Sequence, residues 1–170
     1  MYQIVLTGPE STGKSTLAQA LAKQYKTDWI PEYARSYIEN LNRPYEESDL
    51  LEIAKGQYQL VENYPSKRDH FLFIDTHLLV IKVWSEYKYG SCHPWIIEQL
   101  KFTKVDLYIL CGTDVAWEYD PQREHPHQRN ELLAIYRQQL MDLKLPFVEI
   151  TGNLKTRLTK VEKAINILTK

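Results

Sequence analysis

The sequence predicts an α/β fold of three layers, with helices on both faces of a five-stranded, mostly parallel sheet. Three observations carry this. Short apolar runs alternate with longer helical patterns along the whole chain. The run Phe71-Leu72-Phe73-Ile74 is continuously apolar and ends in Asp75, as a strand covered on both faces reads. The stretch Gly8-Pro9-Glu10-Ser11-Thr12-Gly13-Lys14-Ser15 stands directly between an apolar run and an amphipathic helical pattern.

The elements follow in order. Gln3 to Thr7 reads as the first strand. From Lys14 to Tyr25 the apolar positions Leu17, Ala18, Leu21, Ala22 and Tyr25 keep helical spacing. Trp29 and Ile30 form a short second strand closed by Pro31. A helix begins near Tyr33 and runs to Leu41, where Asn42-Arg43-Pro44 ends it. A longer helix spans about 46–64. Gly56 inside it points to close approach by a backbone or ligand, or to tight helix packing, at about 1 kcal/mol relative to Ala. After the Phe71 strand, Leu79, Val80, Val83, Trp84 and Tyr87 mark a helix with Gly90 as its C-cap. Pro94 to Phe102 is a short helix and Leu107 to Cys111 a strand. Residues of about 113–130 are polar and proline-bearing, and read as a lid. Arg129 to Leu143 is helical and Phe147 to Ile150 is the last strand. The closing helix carries Leu154, Leu158, Val161, Ile165 and Leu168 on one stripe.

The 170 residues fit one domain with one core, and the 44% hydrophobic and 25% charged shares are those of a globular chain. A formal net charge of −1 gives no electrostatic case for nucleic acid or a membrane surface as partner. Cys92 and Cys111 have neither metal-ligand spacing nor disulfide density. No secretory signal or membrane-length apolar run is visible, so a cytoplasmic setting is expected. Composition leaves the oligomeric state open.

In parallel sheets with crossovers, ligands bind at the carboxyl ends of strands, so residues just after each strand are the chemical candidates. Gly8 to Ser15 matches G-x-x-x-x-G-K-[ST]. Its glycines let successive N–H groups, from Glu10 through Thr16, turn toward phosphate oxygens. The following helix adds its positive end. Lys14 brings an ammonium to the β- and γ-phosphates, and Ser15 a hydroxyl to Mg²⁺. These residues predict ATP and Mg²⁺ as cofactors.

Asp75 ends its strand at the same edge and is placed as the magnesium carboxylate, with helix N-cap as the rival role. Glu32, in Pro31-Glu32-Tyr33-Ala34-Arg35, can take a proton from an acceptor hydroxyl. Arg35 can hold an anion. In the lid, Arg123 and Arg129 can close on a transferred phosphoryl group. His125 and His127 read as a surface pair rather than a metal site. Trp84 and Trp117 can stack on a substrate ring, with core packing the alternative for Trp84. Gly152 and Asn153, after the last strand, are placed at the purine base. Thr103-Lys104-Val105-Asp106 matches a guanine-reading motif but precedes its strand, so its side chains belong at the wrong edge.

The phosphate loop with Thr16, the segment Pro31 to Arg35, Ala54 with Gly56-Gln57, Asp75-Thr76, Trp84, and Asp114, Trp117, Asp120, Arg123 and Arg129 occur in one order. Together they resemble the ribosylnicotinamide kinase domain of the NadR-type NAD-biosynthesis proteins, over nearly the whole chain. The resemblance implies a nucleoside- or adenylate-kinase-like fold. It implies transfer of the ATP γ-phosphate to the 5′-hydroxyl of nicotinamide riboside, giving nicotinamide mononucleotide. Tyr33, Gln57 and Asp120 join Glu32, Arg35 and the tryptophans as implied substrate residues. Trp117 or Trp84 would lie near the nicotinamide, and Glu32 or Asp75 would meet the hydroxyl.

Two positions depart from the family pattern. Asp-Thr-Asp becomes Asp75-Thr76-His77, which sets a titratable imidazole where a carboxylate is usual. Asp-Gly-x-Arg becomes Asp120-Pro121-Gln122-Arg123, a stiffer turn. The family's nucleotidyltransferase domain does not fit within 170 residues, so adenylyl transfer is expected of another protein. The alternatives are a nucleotide-binding switch or ATPase without small-molecule kinase activity, and a kinase for another small acceptor.

Overall fold

Five strands, β1 (Tyr2–Thr7), β2 (Trp29–Ile30), β3 (Phe71–Asp75), β4 (Leu107–Cys111) and β5 (Phe147–Ile150), lie side by side in the order β2-β3-β1-β4-β5. The computed structural model describes residues 1–65 and 71–169, and every strand pair among them is parallel. The helices are α1 (Lys14–Tyr25), α2 (Tyr33–Glu39), α3 (Glu47–Glu62), α4 (Leu78–Tyr89), α5 (Pro94–Phe102), α6 (Arg129–Asp142) and α7 (Leu154–Leu168). The predicted α/β class and strand set hold.

Strand alternation sorts the core into two layers. Ile4 and Leu6 of β1, with Phe73 and Ile109, pack against Leu17, Leu21, Val161 and Ile165 of α1 and α7. Val5 faces the other way, with Leu72, Ile74 and Leu110, onto α3, α4 and α6 through Ile53, Leu79 and Leu132. The central strands are covered on both faces, which is why they read as unbroken apolar runs.

Strand order also positions the site. β3 and β4 flank β1, so the chain leaves the sheet centre in opposite directions and opens a crevice at the carboxyl edge. The register sets Asp75 opposite Leu6, and the Thr76 N–H donates to the Leu6 carbonyl at 3.2 Å. The magnesium candidate therefore stands beside the start of the phosphate loop.

Some local readings change. α2 ends at Glu39 rather than Leu41, because the Asn40 side-chain amide donates to the Ser36 carbonyl at 2.7 Å and closes the turn. Gly56 faces neither ligand nor backbone. A Cβ there would stand 2.1 Å from Cε1 of Tyr33, so the glycine makes room for that ring between α2 and α3. On α7, Val161 and Ile165 are buried, whereas Leu154 in the first turn is exposed and off the stripe. Asp106 accepts from the Gln3 N–H at 2.8 Å, at the sheet edge remote from the phosphate loop. No helix among the described residues is long and apolar enough to cross a membrane.

Candidate active site

The phosphate loop is shaped by its glycines. Gly8 has φ +125° and comes so close to β4 that a Cβ would lie 2.9 Å from the Cys111 carbonyl oxygen. Gly13, at φ +75°, is the N-cap of α1, and no side chain among the described residues caps that end. The first-turn amides of α1 are left for an anion. Ser11 adopts φ +54° without being glycine, a strained conformation of the kind that collects at functional sites. The Lys14 ammonium donates to the carbonyls of Gly8 and Pro9 at 3.0 and 2.8 Å, which holds it over the loop.

Asp75 is 1% exposed, and its Oδ1 has no hydrogen-bond partner among the described residues. Burial pushes its carboxyl above the usual range, against the pull of Lys14, the Ser15 hydroxyl and Arg35. Thr76 follows at φ +71°, a costly conformation for a β-branched residue. Burial also raises the Glu32 carboxyl. Lys14 opposes that shift and Asp75 adds to it. Two carboxylates and one ammonium thus share a field at the mouth of the loop. A Mg²⁺ ion fits this donor set, since it takes one or two carboxylates and fills its remaining positions with water and phosphate oxygens. The orphaned Oδ1 is the acceptor such an ion needs.

A cleft of about 720 Å³ opens above the loop. Gly8, Glu10 through Thr16, Glu32, Arg35, Trp84, Arg123, Gly152 and Asn153 line it, and Asp75 sits behind Ser15. Ile38, Val80, Val83, Trp84 and Tyr87 give one wall an apolar and aromatic surface. The other predicted site residues stand back from it. Tyr33 lies on Gly56. Gln57 is buried and holds the acceptor motif from behind, accepting from the Tyr33 N–H at 2.8 Å. Trp117 faces the Arg129 guanidinium, 5.8 Å from its ring centroid. Asp120 pairs with Arg35 at 2.9 Å. Arg129 donates to the Ser11 and Val115 carbonyls, both at 2.9 Å.

The lid is latched through the phosphate loop. The Glu10 carboxylate accepts from the lid N–H groups of Glu124 and His125, so it faces the lid rather than the phosphates. The Ser11 hydroxyl accepts from the Glu118 N–H at 2.9 Å. Lys88 and Tyr45 both reach Glu124, and the Trp84 N–H donates to the Tyr45 hydroxyl at 2.9 Å. Trp84 is therefore fixed as a wall.

His77, which stands where the family pattern has a carboxylate, is not among the residues that line the cleft. It is 0% exposed, neither ring nitrogen has a partner among the described residues, and burial lowers its pKa to about 4. It is a neutral imidazole at physiological pH. Sequence reasoning missed Arg157 and Tyr136, both of which line the cleft. Arg157 carries no motif, since a lone arginine inside an amphipathic helix reads as a surface charge. Tyr136 reads as a core aromatic of α6.

Loop, carboxylate pair and crevice define a P-loop phosphate-binding α/β protein. The chain belongs to the AAA domain family, which it matches over residues 3–157. It is 26% identical over 155 residues to the trifunctional NAD biosynthesis/regulator protein NadR of Escherichia coli, across 86% of this chain and 37% of that protein. The Salmonella typhimurium NadR is 29% identical over 126 residues, 71% of this chain and 30% of that one. The chain thus spans about a third of the length of these relatives. Among solved structures, a NadR protein in complex with NR superposes with a TM-score of 0.84 at 22% identity, over 99% of this chain and 51% of that one. Thymidylate kinase from Ehrlichia chaffeensis gives 0.70 at 12% identity, over 96% and 98%. The NadR-type likeness and the nucleoside-kinase-like fold read from the sequence both stand.

Proposed function

We propose that this chain is an ATP-dependent kinase that transfers the γ-phosphate to the 5′-hydroxyl of nicotinamide riboside or a similar nucleoside. The observation that carries the reading is the shared mouth of Lys14, Asp75 and Glu32, with an aromatic wall facing it. One end of the cleft suits a triphosphate, and the other offers an apolar face for a ring beside a carboxylate for a hydroxyl. The NadR complexes with NR, and with NAD and AMP-PNP, support the same assignment.

The loop amides and Lys14 bind and orient the phosphates. Ser15 and Asp75 would hold Mg²⁺, which when bound neutralises phosphate charge. Glu32, its proton affinity raised by burial, accepts the hydroxyl proton as the oxygen attacks. Arg123 lines the cleft and swings from the lid onto the transferred group, while Arg129 fixes the lid to Ser11. Water is excluded as the lid stays latched through Glu10. A cytoplasmic setting accords with two free thiols, Cys92 and Cys111. The test is phosphotransfer from Mg-ATP to a panel of nucleosides. A phosphorylated nicotinamide riboside is expected, and no product from any nucleoside would overturn the reading.

A further inference from the structure

Arg157 lies in α7, far in sequence from the phosphate loop, and is 2% exposed. A buried guanidinium is costly unless its N–H groups are satisfied. Here they are, by three separate loops. Nη1 donates to the Thr12 carbonyl of the phosphate loop at 2.5 Å. Nη2 donates to the Gly112 carbonyl at 3.0 Å and to Asp114 Oδ1 at 2.8 Å. Nε donates to the Gly152 carbonyl at 2.8 Å. Asp114 closes the ring, its Oδ2 accepting from the Gly152 N–H at 2.6 Å.

All three loops border the cleft, the one after β4 through Asp114, Val115 and Ala116. The phosphate loop holds the triphosphate end. Gly152 and Asn153 line the cleft beyond it, where the rest of a nucleotide has to lie. The Asn153 side chain is committed to capping α7 through the Thr156 N–H at 3.0 Å, so its own grip on a base is limited. What fixes the Gly152 loop relative to the phosphate loop is the planar fork of Arg157, which has the reach and geometry that an ammonium lacks.

We infer that Arg157 is a positioning residue that sets the distance between the triphosphate subsite and the nucleoside subsite of the bound nucleotide. A nucleotide is a two-part ligand, and joining its parts adds affinity only when the two subsites stand at the matching separation. Loosening that separation weakens ATP while leaving a bare triphosphate nearly untouched. The inference rests on the nucleotide half of the proposed function and on nothing about the acceptor.

The experiment is calorimetric titration of the whole chain with Mg-ATP and, separately, with inorganic tripolyphosphate and Mg²⁺. Arg157→Lys and Asp114→Asn are compared with the unaltered protein. The second variant keeps shape at a partly exposed position, so it reports even where the first fails to fold. ATP affinity is expected to fall on the order of tenfold in each folded variant, with tripolyphosphate affinity changed less than about threefold. In turnover, KM for ATP should rise while KM for the acceptor holds. Equal losses for both ligands, or no loss for ATP, would overturn the inference. Failure of the unaltered protein to bind ATP would overturn the kinase reading instead.

Discussion

Asp120 and Arg35 join the lid to α2 through an ion pair of 2.9 Å. Both residues were expected to touch substrate, and the pair leaves Arg35 lining the cleft. The pair fixes Arg35 at the cleft wall and leans on Arg123, whose guanidinium is 3.9 Å from the same carboxylate. Arg35 is 45% exposed, so the pair is worth little as stability, about 0.2–1 kcal/mol. Its weight is in lid position. Asp120→Asn should leave the melting temperature nearly unchanged and raise KM for the acceptor. An unchanged KM would remove the lid–α2 pair from substrate capture.

Lys14→Ala removes the ammonium held over the phosphate loop by the Gly8 and Pro9 carbonyls. Turnover should fall about a thousandfold, on the order of 4 kcal/mol of transition-state stabilisation. Steady-state phosphotransfer measures it, with circular dichroism confirming the fold. Rates like those of the unaltered chain would take the loop out of the mechanism.

Glu32→Gln keeps the size of the side chain and abolishes the base. The turnover number should drop by about a hundredfold to ten-thousandfold, with Mg-ATP affinity retained. Full turnover in this variant would transfer the role to Asp75, the other carboxylate in the shared field.

The buried acids and His77 give opposite dependences on pH. Glu32 and Asp75 are held above the usual carboxylate range, first by burial. The folded state then binds more protons than the unfolded one, and stability is lost as pH rises through the raised values. Glu32→Gln should therefore gain on the unaltered protein as pH rises. His77 is lowered to about 4, again by burial. Its contribution is present above the ordinary imidazole value of about 6.5 and is lost as pH falls toward the lowered one. His77→Leu should gain on the unaltered protein in that acidic window. It should also relieve two unpartnered nitrogens, worth about 1–3 kcal/mol. Thermal melts from acid to neutral pH without nucleotide check both, and parallel curves would count against them.

Gly56→Ala adds a methyl group where Tyr33 stands, 2.1 Å from Cε1. Overpacking should destabilise by about 1–3 kcal/mol, more than the helix gains from replacing glycine. Denaturant unfolding measures it, and adding Tyr33→Ala should recover most of the difference. A stabilised single variant would show the ring to be mobile.

The amino-acid sequence by itself determined the elements and the nucleotide end of the site. Apolar runs and helical spacing are local properties, and continuous apolar runs separated by helical stretches are the pattern of a parallel sheet covered on both faces. The phosphate loop is equally local, because its glycines, Lys14 and Ser15 act through neighbouring backbone. Asp75 was legible for a related reason: a carboxylate that ends a buried strand must emerge at the ligand edge. Tertiary structure decided where the remaining side chains point. Glu10 turned to the lid, Tyr33 to Gly56, Gln57 to the backbone of Tyr33, and Trp117 to Arg129. Each depends on a partner remote in the chain, and composition cannot say which partner arrives. Arg157 shows this most clearly. One arginine in an amphipathic helix carries no signal until three loops meet around it, and burial then leaves its N–H groups no other partners.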